Sequence, residues 1–232
     1  MINHWGCNED YNRATYTLSI PKRSYNHSFL EKLLRINEKH VVHKLICKDK
    51  GDPIELYMND LNKYEKKNII ALRFTAINQK TYQFKYNSVY KIYLYDEKGA
   101  LIERTIDLMG PILRKLNDPE DSKTEMGYTG PLWMWSSGFN GNRLDFYVEI
   151  HSDIYFPVVN QKFKISEELY PNQKWVDNTE LATLNTRIFN NWFRELTELF
   201  RKNDGRVNIG GLSGISKENK VELTEEGIVH LI

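Results

Sequence analysis

The sequence predicts an α+β fold: a twisted, mainly antiparallel sheet of six to nine strands, with one long amphipathic helix (about residues 177–203) and a shorter N-terminal helix (about residues 26–39) packed on it. Alternating runs of β-branched and aromatic residues fill the middle of the chain, as antiparallel strands require. Apolar residues recur at helical spacing near both ends. Because no low-complexity linker divides the 232 residues, we expect one domain over residues 1–232.

The first quarter of the chain predicts the short helix followed by two strands. Phe29, Leu33 and Ile36 recur at helical spacing, and Asn26 is a candidate N-cap. The segment "HVVHKLICK" from His40 alternates as a strand does, and "KDKGDP" has turn composition. We interpret the next segment, "IELYM", as a second short strand.

The middle of the chain predicts an antiparallel meander over Ile69–Leu108. Tyr90, Ile92 and Leu94 alternate with polar and aromatic neighbours. The four residues "DEKG" then lead into a second alternating run, which is a hairpin signal. Residues 109–142 change character, and we expect a long loop region containing glycine, proline and tryptophan. Loops of this length in a compact domain are more often functional than not.

The C-terminal half predicts a strand over "RLDFYVEIHSDIYF", the long helix and a final hairpin. Asp177 and Glu180 have the spacing of a capping box, and Gly205 is a stop signal. The helix presents an apolar stripe at i, i+3 and i+4 positions: Leu181, Leu184, Ile188, Trp192, Leu196 and Leu199. The tail ends in two short runs around Glu225–Gly227, which we interpret as paired strands.

Composition excludes several classes of protein. The 32 basic and 31 acidic residues leave a formal charge of +1, which favours neither nucleic acid nor an anionic membrane as a partner. No apolar run approaches the ~18 residues of a membrane span. The N-terminus lacks signal-peptide features, so we expect a cytoplasmic protein; usage of Asn, Lys, Ile and Tyr is typical of an AT-rich bacterial or phage genome. Cys7 and Cys47 lack metal or disulfide spacing and are expected to be reduced thiols.

Known catalytic motifs are missing from the sequence. The glycines Gly210, Gly211 and Gly214 match neither a Walker loop nor a dinucleotide fingerprint. His40 and His43 do not form HExxH, and no GxSxG elbow occurs. We therefore predict no catalytic residue and no cofactor.

One stretch, "EIHSDIYFP", places three polar residues at alternate positions. Side chains on a regular strand alternate between its two faces. Glu149, His151 and Asp153 are therefore expected to share one face. Phe146, Val148 and Ile150 are expected to share the buried reverse face. The first face is either the solvated side of a sheet or a site. A carboxylate, an imidazole and a second carboxylate can bind a partner or a divalent metal, and a metal ligand from elsewhere in the chain is not identifiable.

The aromatic residues of the predicted loop complete the candidate site. Trp133 and Trp135 are one residue apart, so in an extended segment both rings project to one side. They either cap the core or form an aromatic platform for a ligand or partner. The predicted partner-binding set is Tyr128, Trp133, Trp135, Glu149, His151 and Asp153.

Two functions from different classes follow. The first is a non-enzymatic intracellular protein-binding module, such as a bacterial immunity or inhibitor-type protein with a protein partner. The alternative is a metal-dependent or acid–base enzyme that uses Glu149, His151 and Asp153 on a small ligand. The sequence does not specify the partner, the substrate or the oligomeric state.

Overall fold

The molecule has an α+β fold, as predicted. The computed structural model describes residues 14–40, 44–47, 51–64, 82–85, 90–96, 98–106, 132–160, 175–210 and 220–231. The helices in this part are α1 (His27–His40), α2 (Pro53–Tyr64) and α3 (Thr179–Arg201), with 3-10 turns at Lys22–Ser24 and Asp153–Tyr155. The strands are β1 (Ala14–Pro21), β2 (Lys44–Cys47), β3 (Tyr82–Lys85), β4 (Tyr90–Tyr95), β5 (Leu101–Ile106), β6 (Leu132–Asn140), β7 (Arg143–Ile150), β8 (Val158–Asn160), β9 (Trp175–Asp177), β10 (Arg206–Ile209), β11 (Val221–Thr224) and β12 (Gly227–His230).

A four-stranded antiparallel sheet in the order β10-β1-β7-β6 forms the centre of the fold. Its strand β1 was missing from our prediction, although its sequence "ATYTLSIP" alternates clearly. Every second residue of β1 is fully buried: Ala14, Tyr16, Leu18 and Ile20. Strand β7 buries its own alternate residues on the same side: Leu144, Phe146, Val148 and Ile150. One face of the β1–β7 pair is therefore apolar along its whole length.

Strand β6 corrects the predicted loop over residues 109–142. Residues 132–140 form a strand that pairs with β7 through a two-residue turn at Gly141 and Asn142. Gly141 has φ +59°, which the first position of a type II′ hairpin turn requires and glycine adopts without strain. The sequence Asn-Gly-Asn was thus a hairpin signal inside the supposed loop. Residues 107–131 lie outside the described part.

Helices α1 and α3 cover the apolar face, and both were predicted close to their observed bounds. The ring of Phe193 on α3 lies 4.3 Å from that of Tyr16 on β1, centroid to centroid. Phe200, also on α3, lies 5.3 Å from Phe146. Phe29 of α1 packs edge-on against Phe200 at 5.2 Å. Aromatic pairs at these separations add to the free energy of burial, so the two helices and the sheet form one core.

Four further two-stranded sheets surround this core. The hairpins β4–β5 and β11–β12 confirm the predicted pairs. The meander prediction is wrong in one respect, since β3 pairs with β2 rather than with β4 in the described part. The twelve described strands also exceed the predicted six to nine, because the chain builds several small sheets instead of one large sheet. Strand β9 pairs with β8 immediately before α3 begins.

Helix α2 replaces the predicted strand "IELYM". Asp52 caps it: the Asp52 Oδ1 atom accepts hydrogen bonds from the backbone N–H groups of Ile54 (2.9 Å) and Glu55 (3.1 Å). Pro53 occupies the first helical position, where its missing N–H costs nothing. Ile54, Tyr57 and Met58 are buried at helical spacing. The cap at Asp52 and the proline at the first helical position therefore favour a helix over the strand that the five residues "IELYM" predict.

The strand predicted from His40 is also shorter than expected. Helix α1 continues through His40, and β2 begins at Lys44. His43 lies outside the described residues. Among the described helices, none is long and apolar enough to cross a membrane.

Candidate functional site

The second face of the four-stranded sheet carries the candidate site. In β7 the buried residues alternate with half-buried polar and aromatic ones, from Arg143 through Tyr147 to Glu149. Phe146, Val148 and Ile150 are fully buried, which confirms the predicted reverse face of this strand. The alternation of the sequence therefore determines which side of β7 faces the helices.

The strand ends earlier than predicted, at Ile150. Ser152 is extended and its hydroxyl accepts a hydrogen bond from the backbone N–H of Ile154 at 3.2 Å, which starts the 3-10 turn Asp153–Tyr155. Asp153 therefore does not continue the period-two pattern of β7. The sequence signal that was overlooked is Ser152-Asp153, since serine commonly caps a turn in this way.

Glu149 and His151 form the chemical centre of the site. The Glu149 Oε2 atom lies 3.2 Å from the His151 Nε2 atom. The Glu149 side chain is 12% exposed and the His151 side chain is 3% exposed. For Asp153, the whole residue is 3% exposed. His151 and Asp153 are thus not on a solvated strand face, and only Glu149 of the three retains access to solvent.

The strand register brings part of the predicted aromatic set beside this pair. Trp133 of β6 is directly opposite Glu149, and Trp135 is opposite Tyr147. The structure describes only the backbone of both tryptophans. On the other side of β7, Thr15 is opposite Glu149. The backbone of β6 therefore runs beside Glu149, whereas Tyr128 lies outside the described residues.

Sequence reasoning missed the contribution of β1 to this surface. The Ser19 hydroxyl donates a hydrogen bond to Asp145 on β7, and Thr17 is opposite Tyr147. The alternation of threonine and serine in "ATYTLSIP" would have revealed it. We define the polar face of the sheet as the residues that β1 and β7 direct away from the helices: Thr15, Thr17, Ser19, Asp145, Tyr147 and Glu149.

The opposite end of the same sheet is basic. The Arg143 Nη2 atom donates to the backbone carbonyls of Ser19 (3.0 Å) and Asp204 (3.3 Å). Arg206 of β10 is opposite Ser19 in the register. The sheet thus has the Glu149–His151 contact at one end and the guanidinium groups of Arg143 and Arg206 at the other.

This arrangement supports two kinds of chemistry. A carboxylate that contacts an imidazole orients the ring, and such a pair is a component of general acid–base sites. A polar sheet face flanked by aromatic positions is also a common type of binding surface. Within the described residues, no group of three or more His, Cys, Asp or Glu side chains is placed to hold a metal ion.

Comparison with known proteins adds no functional assignment. No protein-family model, no curated protein and no solved structure matches the chain.

Proposed function

We propose that this protein is a non-enzymatic intracellular binding module that receives a protein partner on the polar face of its four-stranded sheet. An immunity or inhibitor-type protein, which blocks another protein by covering its active surface, is the form of this function that we favour. The observation that carries the proposal is the register of β6, β7 and β1. It places two tryptophan positions, two carboxylates, a tyrosine and two threonines on adjacent strands.

The chemistry of this face favours a partner with basic side chains. Glu149 and Asp145 are half-buried carboxylates two positions on either side of Tyr147. Carboxylates on a surface attract a complementary positive patch and raise the rate of association. Tyrosine and tryptophan bury a large area with little loss of conformational entropy, which makes them frequent anchors at interfaces.

The burial of His151 and Asp153 alters their proposed part in binding. Since both are almost fully covered, we assign direct contact with the partner to Glu149 rather than to them. His151 positions the Glu149 carboxylate through the 3.2 Å contact. Binding therefore depends on His151 indirectly.

A site-specific photocrosslinking experiment tests the proposal. A photoreactive amino acid is introduced at Thr17, on the polar face, and at Glu31, an exposed residue of α1 on the far side of the sheet, as a matched control. We expect one protein species from the host to crosslink through position 17 and not through position 31. Glu149→Arg should abolish that crosslink, while Glu222→Arg, at an exposed carboxylate on β11, should not.

Two results would refute the binding module. The first is the absence of any crosslink at position 17 under several growth conditions. The second is equal crosslinking at both positions, which would indicate non-specific contact.

The contact between Glu149 and His151 favours a second candidate, an acid–base enzyme acting on a small ligand. The pair has the composition of a carboxylate-oriented general base, although His151 is only 3% exposed. Turnover that disappears in both His151→Gln and Glu149→Gln while the fold is retained would establish this candidate. Bound metal, detected by elemental analysis and lost in the same variants, would establish its metal-dependent form.

A further inference from the structure

The edge strand β10 is the feature that the proposed function leaves unused. In the described part of the chain, β10 pairs with β1 alone and ends the sheet on that side. The Gly210 N–H donates to the Thr15 carbonyl at 2.7 Å, which identifies Gly210 and Thr15 as a hydrogen-bonded pair. Residues in an antiparallel pair alternate between bonded and non-bonded positions. The backbone groups of Val207 and Ile209 therefore point away from β1.

These outward backbone groups have no partner among the residues that the structure describes. Within the described residues, β10 forms a ladder with β1 alone, and no turn or loop hydrogen bond reaches Val207 or Ile209. An edge with unpaired N–H and carbonyl groups is a template on which another extended chain can pair. Val207 itself is buried, so the core holds the strand in place.

Ile209 provides an apolar contact at the same edge. It is 45% exposed, although its partner across the ladder, Tyr16, is fully buried. An isoleucine with this exposure beside open backbone groups gives an added strand both hydrogen bonds and a side-chain contact. Peptides that bind by strand addition use the same combination.

Charge identifies the kind of segment that fits. Three basic side chains lie at the start of β10 in the described part: Arg206 of the strand itself, and Arg23 and Arg143, which both contact Asp204 two residues before the strand. The acidic side chains beside them are Asp204 and Asp145. Ion pairs such as Arg23–Asp204 (3.1 Å) join exposed side chains, and pairs of this type contribute little stability and exchange readily.

We propose that the outer edge of β10 accepts an extended acidic segment of a partner protein as an added antiparallel strand. A second copy of this chain, paired through the same edge, is the competing occupant that the test distinguishes. This surface is separate from the polar face, so the proposal can succeed or fail independently of the proposed function.

Fluorescence anisotropy with designed peptides tests the proposal. The probe is a short labelled peptide of alternating glutamate and valine. One control peptide has lysine in place of glutamate, and another has proline in place of valine, which keeps the charge but cannot form a ladder. We expect the first peptide alone to bind, with an affinity that falls as salt is added.

Matched variants locate the binding site. Ile209→Asp should weaken binding of the glutamate–valine peptide by about tenfold or more. Val229→Asp alters a valine that is 43% exposed on β12 and should leave binding unchanged. Arg206→Glu should weaken binding, whereas Arg187→Glu, at an exposed position of α3, should not. Amide hydrogen exchange should show new protection at Val207 and Ile209 when the peptide is bound.

Three outcomes would overturn the proposal. Equal binding of the proline peptide would indicate charge attraction without strand addition. No binding of the glutamate–valine peptide, or an equal loss of its affinity in Val229→Asp and Ile209→Asp, would show that the peptide does not bind at β10. Dimerisation of the protein alone, lost in Ile209→Asp, would show that a second copy occupies the edge.

Discussion

At the residue scale, two polar groups packed against α3 differ in how their hydrogen bonds are satisfied: Tyr16 and His230. Tyr16 is fully buried against Phe193, and its hydroxyl has no hydrogen-bond partner among the described residues. Burial raises the pKa of the Tyr16 phenol well above its usual range. His230, by contrast, has its Nε2 atom 3.0 Å from the Tyr155 carbonyl and 3.0 Å from the Thr186 hydroxyl. The two groups therefore respond differently to substitution and to pH.

Tyr16→Phe should stabilise the protein. The substitution removes an unsatisfied hydroxyl and keeps the aromatic ring, so we expect the free energy of unfolding to rise by about 1 kcal/mol. Urea denaturation measures the change. Tyr93→Phe is the matched control, since the Tyr93 hydroxyl donates to Glu103 at 2.9 Å and its loss should be neutral or slightly destabilising. A Tyr16→Phe protein that is less stable than the wild type would contradict this account.

His230 should make stability depend on pH. Desolvation by burial lowers the pKa of His230, although the hydrogen bond to the Tyr155 carbonyl opposes this shift. The unfolded chain then binds more protons than the folded one, so the free energy of unfolding rises with pH. The contribution is fully present above the unfolded value of about 6.5 and is lost as the pH falls through the lower folded pKa.

Urea denaturation of the wild type and of His230→Gln across this window measures the effect. The wild type should lose stability relative to His230→Gln as the solution is acidified. A constant difference between the two proteins from pH 8 to pH 5 (a range chosen to span the usual histidine pKa of about 6.5) would show that His230 does not titrate differently on folding.

At the scale of elements, two asparagine side chains of α3 each bind a hairpin. Each amide pairs with the backbone N–H and carbonyl of one strand residue, as a neighbouring strand would; we call each such pair of bonds an amide clamp. The Asn185 amide accepts from the Tyr93 N–H at 2.8 Å and donates to the Tyr93 carbonyl at 3.0 Å, on β4. The Asn190 amide makes the same pair of bonds with Ile228 of β12, both at 2.8 Å. Asparagine is a weak helix former, and these bonds explain its presence in the middle of a long helix.

Gly227 leaves room for the Asn190 side chain that bonds to Ile228. A Cβ atom at this position would lie 2.1 Å from the Asn190 Oδ1 atom, and Gly227 has φ +129°. Both the space and the backbone conformation therefore require glycine. The C-terminal hairpin and α3 consequently constrain each other's sequence.

Asn190→Ala should loosen the C-terminal hairpin. The variant leaves the Ile228 N–H and carbonyl without partners, which should cost about 1–3 kcal/mol. Hydrogen exchange at the Ile228 amide should accelerate along with the loss of global stability. Asn191→Ala, at the next and exposed position of the helix, is the control and should be neutral or slightly stabilising, because alanine favours the helix. Equal effects of the two variants would contradict the clamp.

At the scale of the whole molecule, α3 links the parts of the fold. It packs on the central sheet through Phe193 and on α1 through Trp192, whose Nε1 atom donates to the Asn37 Oδ1 atom at 2.9 Å. The amide clamps join it to β4 and β12. A helix that contacts the central sheet, α1 and two hairpins should make these parts unfold together.

Phe193→Ala tests whether the chain is one cooperative domain. Removing this buried ring should lower the free energy of unfolding by about 3–5 kcal/mol. If the chain is one domain, the slowest-exchanging amides of β1, β4 and β12 should lose protection by the same amount. A loss confined to β1 would refute the prediction of a single domain. Leu101→Ala, at a leucine that is 37% exposed, provides the control.

The sequence by itself determined the elements whose signals are local. The apolar stripe of α3, the caps and spacing of α1, and the alternation of Phe146, Val148 and Ile150 depend on residues a few positions apart. The bounds of both helices were predicted within two residues, and the buried face of β7 was predicted correctly although its end was not, because helical and strand periods are properties of a short segment. The same local signals, read more completely, would also have identified β1, the cap of α2 and the turn at Gly141.

Only the tertiary structure decided which elements meet. The pairing of β1 between β7 and β10 joins residues more than a hundred positions apart, and no local pattern specifies it. That pairing makes a polar face from β1 and β7 and leaves the edge of β10 open in the described part of the fold. The tertiary structure also decides which residues of the candidate site reach solvent. A period of two predicted that Glu149, His151 and Asp153 would be equivalent, but a serine-capped turn and the packing around it bury the last two. Burial is a property of the assembled core rather than of the segment.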